Sequence, residues 1–383
     1  MDRTALFRSP IIKHWSMIEL GPGGRFCNEP DMTAFMKQMI HFSKLYGNFS
    51  QVDPLRRANS DHHIGYQGQL SHPQNVNKLR AALRSFKDKS VLLLVVILAK
   101  DTISDYALVK KVAEVDVGIH TTCIIRNKNK KPGGPEIKRD PQTIANIFQK
   151  INMRAGGINV ARQLKPIASG TPGRLFTATT IVIGADVTHP GVASSKVCPS
   201  IAAVVGSTEI EFNRYATSLS AQTSKVEKIE RFGEMVGERL KLWKKHNKRY
   251  PNQIVIFRDG VSESQFQMVL NEEWPSIDRE IAKIYQGEDK PKILLMCVLK
   301  RHGTRFFPNP SNLAHSDRHG NPHPGLVVED IITYPDGYDW YLQSHACIQG
   351  TAKPAHYVVL RDTLKLPSNV VQQEVREFIS QSL

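Results

Sequence analysis

The chain is poor in cysteine, has no long apolar run and is short of acidic residues. Its five cysteines are scattered and form no CxxC pair. This spacing argues against a zinc site or a disulfide framework and favours a reducing compartment, the cytoplasm. The longest apolar run, Val91 to Ala99, is too short to span a bilayer, so we expect no membrane partner. The N-terminal stretch does not show the pattern of a secretory signal peptide.

The shortage of acid makes the chain strongly basic. It has 51 Lys and Arg against 36 Asp and Glu, a formal net charge of +15. Such an excess predicts a polyanionic partner, and nucleic acid ranks before a membrane because no basic amphipathic helix dominates. Charge alone is equally compatible with a well-solvated basic surface. A length of 383 residues predicts two domains, which we place at residues 1–160 and 161–383.

The first half alternates strand-like and helix-like segments. The run Val91–Leu98 is apolar throughout, which indicates a central parallel strand buried on both faces. Apolar residues recur at helical spacing in 31–46 and 73–86. Asp140 followed by proline predicts the start of a third helix, over 140–154. This order of elements predicts a small Rossmann-like α/β domain. The basic segment 127–140 is rich in Pro and Gly and is predicted to be a loop.

Two apolar runs in the second half each end on a carboxylate, Asp186 and Asp259. Strands buried on both faces carry such runs, and α/β proteins keep active sites outside the ends of their strands. For either aspartate alone, a helix cap or a turn residue is the preferred interpretation. The pair, with a hairpin and a helix between its strands, predicts a ribonuclease-H-like fold. Two adjacent carboxylates favour Mg²⁺ or Mn²⁺, and such ions support phosphodiester cleavage.

A third carboxylate is needed for such a site, and Glu227 is the candidate. The spacing of Phe232, Val236 and Leu240 predicts a helix over 225–245. Glu227 lies opposite this apolar stripe, which indicates a solvated side chain. It can serve the site only from a loop or from a frayed first turn.

Three groups of polar residues are candidates for binding phosphate. Tyr106 and Lys110 share one helix face, and Lys150 and Arg154 repeat the spacing on another helix. Together they can hold a terminal phosphate while the tyrosine ring stacks on a base. For any one pair alone, an ordinary surface cation is the preferred interpretation. Two further clusters can line a groove for a nucleic-acid backbone. One consists of Lys300, Arg301 and Arg305, and the other of His345, Gln349 and Lys353.

Long motifs in the chain resemble those of one known family. The PIWI domain of eukaryotic Argonautes is similar to GADVTHP (184–190), PSIAAVVGS (199–207), RDGVSESQF (258–266), KRHGTRFF (300–307) and SHACIQGTAKPAHYVVL (344–360). The preceding segments LVVILAK, DYALVKK and FQKINMRAGGINV resemble the MID domain of the same family. Because the likeness covers nearly the whole chain, the sequence is identified as a MID–PIWI fragment of a eukaryotic Argonaute.

The resemblance implies that the MID domain anchors the 5′-phosphate of a small guide RNA. Tyr106 would stack on the first base, while Lys110, Lys150 and Arg154 would bind the phosphate. The family usually has lysine at the position of Arg154, and its pocket glutamine falls on Thr122, which offers only a short hydroxyl.

The resemblance also implies a PIWI domain that cleaves target RNA paired with the guide. Asp186 and Asp259 fall on the metal-binding aspartates, and Glu227 aligns with a catalytic glutamate that the family carries on a loop. The fourth catalytic residue of the family, a His or Asp, is expected beyond Leu383, so we expect the PIWI domain to be incomplete at its C-terminal end. PIWI pockets of the family also accept Trp-containing peptides of silencing partners.

Two functions stay open on the sequence. The first is an RNA-guided endoribonuclease that depends on Mg²⁺ or Mn²⁺. The second is a non-catalytic guide-binding module that acts through protein partners. A ribonuclease-H-like recombinase acting on DNA is disfavoured, because nothing in that class explains the Rossmann-like first domain.

Overall fold

The computed structural model describes residues 12, 14–24, 26–27, 29–46, 63–99, 102–131, 134–136, 140–159, 173–194, 196–286, 289–309, 313–347 and 349–380. The chain divides into two compact units, Met1–Ala161 and Arg162–Leu383. None of the helices within these residues combines the length and the apolarity that crossing a bilayer requires.

The first unit is built on four parallel strands in the order β2-β1-β3-β4. These strands are β1 (Trp15–Pro22), β2 (His63–Tyr66), β3 (Leu93–Leu98) and β4 (His120–Ile125). The helices are α1 (Glu29–Tyr46), α2 (Pro73–Asp88), α3 (Ile103–Lys110) and α4 (Pro141–Arg154). A π-helix, Lys111–Val117, continues α3 without a break.

Helices cover both faces of this sheet because successive side chains of a strand point to opposite faces. In β3, Leu93 and Val95 pack with residues of α1 and α4. Leu94 and Val96 pack on the other face with residues of α2, α3 and the π-helix. The prediction of a Rossmann-like α/β first domain is confirmed.

One prediction for this unit is wrong. Within 127–140, predicted to be a loop, the backbone of β5 (Asn127–Lys131) pairs antiparallel with β6 (Gly134–Glu136). Backbone pairing needs no apolar alternation, so a uniformly polar hairpin shows no strand pattern in the sequence. Residues 132–133 and 137–139 of the predicted loop lie outside the described part of the chain.

The second unit contains an eight-stranded mixed sheet in the order β12-β13-β14-β11-β10-β7-β8-β9. Its strands are β7 (Thr180–Thr188), β8 (Ser200–Ser207), β9 (Tyr215–Gln222), β10 (Gln253–Asp259), β11 (Lys292–Leu299), β12 (Leu326–Val328), β13 (Asp339–Gln343) and β14 (Ala355–Asp362). Its helices are α5 (Phe232–Asn247), α6 (Phe266–Met268), α7 (Trp274–Ile284) and α8 (Ser368–Ser380), with a π-helix, Val269–Glu273, between α6 and α7.

The two predicted aspartates lie side by side where two central strands of this sheet end. Strands β7, β10 and β11 are parallel neighbours, while β8 and β9 continue β7 as an antiparallel hairpin. Arg258 of β10 lies opposite Ala185 of β7, so Asp259 and Asp186 follow at the same level. Neighbouring strands are about 4.8 Å apart. The prediction of a ribonuclease-H-like second domain is confirmed.

Glycine lets α5 and α7 pack closely over one face of this sheet. A Cβ added to Gly233 of α5 would lie 2.2 Å from the carbonyl oxygen of Ser276 in α7. A backbone carbonyl inside a helix cannot move away by a side-chain rotation. Position 233 therefore requires glycine.

Replacing Gly233 with alanine should lower the free energy of unfolding by about 1–3 kcal/mol, the usual cost of overpacking. Urea unfolding measures the change. Gly303→Ala is the matched control, because a Cβ there meets no heavy atom within 4 Å. Equal midpoints for the two variants would show that α5 and α7 do not depend on this close approach.

The helix predicted over 225–245 begins later, at Phe232. Residues 223–231, here called the glutamate loop, are not helical because two features oppose a helix. Lys225 has a φ of 65°, in the left-handed region. The Gln222 side-chain amide donates to the carbonyls of Val226 and Lys228, both at 2.8 Å.

Candidate functional site

Three carboxylates, here called the carboxylate edge, lie where the central strands β7 and β10 of the second unit end. Asp186 is in β7, Asp259 is the last residue of β10, and Glu227 is in the glutamate loop. A Cβ added to Gly260 would lie 2.8 Å from Asp186 Oδ1 and 3.0 Å from Glu227 Oε1. Gly260 has a φ of +87°, which favours glycine. The missing side chain leaves a space bordered by two carboxylate oxygens.

Asp259 is paired with a cation from the neighbouring segment. Lys300 Nζ lies 2.5 Å from Asp259 Oδ2, and the Gly260 N–H donates to Asp259 Oδ1 at 2.9 Å. Lys300 directly follows β11, and its side chain is 60% exposed. The residue predicted to bind a nucleic-acid backbone is thus placed among the carboxylates.

Glu227 is held in place by two residues, His189 and Arg258. Its Oε2 is 2.8 Å from His189 Nε2, and the other nitrogen of that imidazole is 2.8 Å from Ser200 Oγ. Its Oε1 accepts from Arg258 Nη1 at 3.1 Å, and its carbonyl accepts from Arg258 Nη2 at 2.6 Å. The indication of a solvated Glu227 on a helix is wrong; the side chain is 14% exposed and loop-borne, as the resemblance implied.

A buried ion pair anchors this arrangement. Arg258 and Glu273 are both fully buried, and Nε and Nη2 of the arginine donate to Glu273 Oε2 and Oε1 at 3.1 and 3.0 Å. Burial alone would lower the pKa of the Arg258 guanidinium, but its bonds to Glu273 and the charge of Glu227 raise it. Glu273 also accepts from the Ile229 N–H at 2.7 Å. The charged guanidinium therefore holds Glu227 directly and, through Glu273, the nearby Ile229.

The two predicted backbone-binding clusters lie at one end of the sheet. Leu299, at the end of β11, is opposite His356 near the start of β14. His302 Nε2 is 3.0 Å from the carbonyl of Pro354, which ties the two segments together. Arg305 is half-buried and donates to the carbonyls of His302 and Thr304 at 3.0 and 2.6 Å. The remaining predicted residues here are exposed: Arg301, His345, Gln349 and Lys353.

In the first unit, two of the predicted phosphate ligands converge on one carboxylate. Lys110 Nζ and Arg154 Nη1 lie 2.6 and 2.8 Å from Glu114 Oε1. Both cations also donate to the carbonyl of Thr121, at 2.5 and 3.1 Å. The Tyr106 ring centroid is 5.8 Å from Lys110 Nζ, and this tyrosine is 44% exposed. We call Lys110, Arg154 and Thr121 the cation cluster.

Two other predicted residues stand apart from the cation cluster. Lys150 is exposed and forms no ion pair within the part of the chain that the structure describes. Thr122 is buried, and among the described residues its hydroxyl has no hydrogen-bond partner. Its neighbour Thr121 contacts Lys110 instead, with Oγ1 at 3.0 Å from the ammonium.

Sequence reasoning missed three partners that had visible signals. Arg258 stands between an apolar run and Asp259, and an arginine in a buried strand is rarely buried unless it is paired. His189 stands three residues after Asp186 in the same motif. Glu114 follows Lys110 by four positions, the spacing of a helical ion pair.

Residues 93–377 match the family model described as the Piwi domain. The chain is 34% identical over 377 residues to Protein argonaute 18 of Oryza sativa subsp. japonica, which covers 94% of this chain and 32% of that protein. It is 35% identical over 276 residues to Protein argonaute of Schizosaccharomyces pombe, and this match covers 72% of this chain and 31% of that protein. The chain thus spans about a third of the length of these relatives.

Two solved structures are similar in fold. The C-terminal lobe of a budding yeast Argonaute has a TM-score of 0.77 at 23% identity, over 96% of this chain and 74% of that chain. Kluyveromyces polysporus Argonaute with a guide RNA has a TM-score of 0.77 at 23% identity, over 100% of this chain and 43% of that chain. The family match extends over most of the sequence and includes the carboxylate edge. The chain therefore belongs to the Argonaute family and carries its Piwi domain.

Proposed function

We propose that this chain binds the 5′-phosphorylated end of a small guide RNA and, within the full-length gene product, cleaves target RNA paired with that guide. The convergence of Lys110 and Arg154 beside an exposed Tyr106 carries the first part. A terminal phosphate offers several oxygens to the two cations, and the phenol ring offers a surface for base stacking. Lys150, free of ion pairs within the described chain, can add a further charge.

In the proposed function, the exposed residues near the ends of β11 and β14 bind the backbone of the guide RNA. Two segments that are far apart in the sequence meet there, which supports one continuous basic surface. Its phosphate contacts would be salt-dependent and independent of base sequence. The cytoplasm, where small RNAs and reducing conditions coexist, is the proposed location.

A short RNA with a 5′-phosphate should bind this chain more tightly than the same RNA with a 5′-hydroxyl, by roughly tenfold to a hundredfold. A hydrogen bond to a charged group contributes about 1.5–3 kcal/mol, and Lys110→Ala should remove most of the preference. Fluorescence anisotropy at one fixed salt concentration measures both affinities. Lys111→Ala is the control, because it removes the same charge from an exposed neighbour. Equal binding of both RNAs by the unaltered chain would mean that its overall charge, and no pocket, captures RNA.

The carboxylate edge fits Mg²⁺ or Mn²⁺ as the proposed cofactor. Within the described residues, no three His, Cys, Asp or Glu side chains are grouped closely enough to hold a metal ion alone. Mg²⁺, however, is usually bound by one or two carboxylates with water and substrate phosphates. Asp186 and Glu227 border the space that a Cβ at Gly260 would fill, and Asp259 can join them by exchanging the Lys300 ammonium for a metal.

Each side chain at this site has a separate role in the proposed cleavage. A metal bound at this edge would supply an acidified water and charge stabilisation of the leaving oxygen. Asp186 and Asp259 would provide oxygen ligands, and Glu227, with its carboxylate fixed by His189 and Arg258, would orient the attacking water. Lys300, once released from Asp259, can contact a phosphate of the RNA backbone.

A non-catalytic guide-binding module is the second candidate function. The ion pair between Lys300 and Asp259 favours it, because the ammonium already satisfies one of the two aspartates. Such a protein would silence through partners, including Trp-containing peptides. Cleavage by the full-length gene product distinguishes the two candidates.

A further inference from the structure

Glu114 fills the cation cluster of the first unit. Its Oε1 accepts from Lys110 Nζ at 2.6 Å and from Arg154 Nη1 at 2.8 Å. The same atom accepts from Thr121 Oγ1 at 3.1 Å and from the Thr121 N–H at 3.3 Å. Four donors, two of them cationic, converge on one carboxylate oxygen.

These donors are of the kind that bind a phosphate oxygen, since lysine, arginine, a hydroxyl and a backbone N–H are its usual partners. Burial raises the pKa of Glu114, but the hydrogen bond and charge of Lys110, with the bonds from Thr121, lower it overall. Glu114 thus remains an anion at neutral pH. Its side chain is 32% exposed, so it can swing out into solvent.

We propose that Glu114 is an internal competing anion, which closes the cation cluster in the absence of a guide and is displaced by the 5′-phosphate. The inference rests on the proposed function of this cluster. The incoming phosphate carries a charge of about −1.5 to −2 and three acceptor oxygens, against one charge on the carboxylate. The exchange is therefore favourable for a terminal phosphate.

An internal competitor has a specific thermodynamic signature. The observed affinity of any ligand that must displace Glu114 is reduced by the fraction of molecules in which the cluster is open. This factor is the same for every such ligand, whatever its intrinsic affinity. A residue that merely positions Lys110 and Arg154 would act in the opposite direction, because its removal would weaken phosphate binding.

The test uses Glu114→Gln, which keeps the size of the side chain and removes its charge. Binding of RNA with a 5′-phosphate should tighten by roughly twofold to thirtyfold, the range that two partly exposed ion pairs span. The affinity for inorganic phosphate, measured by competition with the same labelled RNA, should rise by the same factor. RNA with a 5′-hydroxyl should change only as much as in the control described next.

The control is Asp116→Asn, on the same π-helix. It changes the net charge by the same amount, and Asp116 pairs with Arg80 at 3.0 Å, away from the cation cluster. Glu114→Asp supplies a second variant, whose shorter side chain should tighten binding in the same direction but by less. Thermal melts confirm that each variant is folded.

Two failures are distinguishable. If the unaltered chain does not prefer the 5′-phosphate over the 5′-hydroxyl, the proposed phosphate pocket is wrong. If it does prefer the phosphate, and Glu114→Gln weakens that binding or matches Asp116→Asn, the pocket stands and Glu114 is not a competitor.

Discussion

Asp186→Ala should abolish cleavage of a guide-paired target RNA by the full-length gene product while guide binding persists. Asp186 Oδ1 is one of two carboxylate oxygens at the space beside Gly260, and alanine offers no ligand there. Loss of a residue that only supports a metal ligand already costs about tenfold to a hundredfold. Loss of a ligand itself should cost more, which leaves cleavage below detection.

The measurement is single-turnover cleavage of a labelled target with Mg²⁺ or Mn²⁺. Guide binding is recorded on the same preparations. Asp336→Ala is the matched control, because Asp336 is exposed and lies between β12 and β13, outside the segments that carry the three carboxylates. Cleavage retained by Asp186→Ala would exclude the proposed site. Tight guide binding without cleavage by the unaltered protein, with either metal, would favour the non-catalytic module.

Arg258→Met should destabilise the second unit by about 3–5 kcal/mol, the usual cost of breaking a buried ion pair from one side. Methionine fills much of the volume but leaves Glu273 buried with no cation. The Glu227 carbonyl and carboxylate lose a donor in the same step. We therefore expect the glutamate loop to open even where the sheet persists.

Urea unfolding gives the global effect, and hydrogen exchange at the Ile229 N–H, which donates to Glu273, reports the loop. Arg231→Met is the matched control. Arg231 pairs with Glu234 at the surface, where both side chains are more than half exposed, so its unfolding midpoint should not change measurably. Equal stability of the two variants would mean that the buried pair does not anchor the loop.

The strands that carry the aspartates are predictable from the sequence because burial on both faces leaves an unbroken apolar run. Asp186 and Asp259 each end such a run, and parallel neighbours in register then bring them together. Strand β2 has only four residues and gives no comparable signal. The polar hairpin of β5 and β6 is hidden for a related reason, since backbone pairing leaves no mark on polarity.

The spacing of apolar residues predicts the wrong local structure for Glu227, a helix in place of a loop. The apolar stripe of α5 is real, but extending its period backwards to residue 225 ignores what holds the preceding segment. That segment is fixed by the side chain of Gln222, which directly precedes it, and by those of Arg258 and Glu273, which are distant from it in sequence. Local spacing cannot report such long-range bonds, whereas the family motif, which reflects the whole fold, placed the residue on a loop.

The ion pair between Lys300 and Asp259 and the contacts of Glu114 have a common consequence. Each site contains its own counter-charge, an ammonium among carboxylates in one unit and a carboxylate among cations in the other. In each site this counter-charge offsets part of the repulsion between like charges while the site is empty, so folding depends less on RNA or a metal ion. On the proposed function, a metal ion or a guide phosphate enters its site by replacing a charge that the protein already supplies, and these two residues stabilise the ligand-free protein until then.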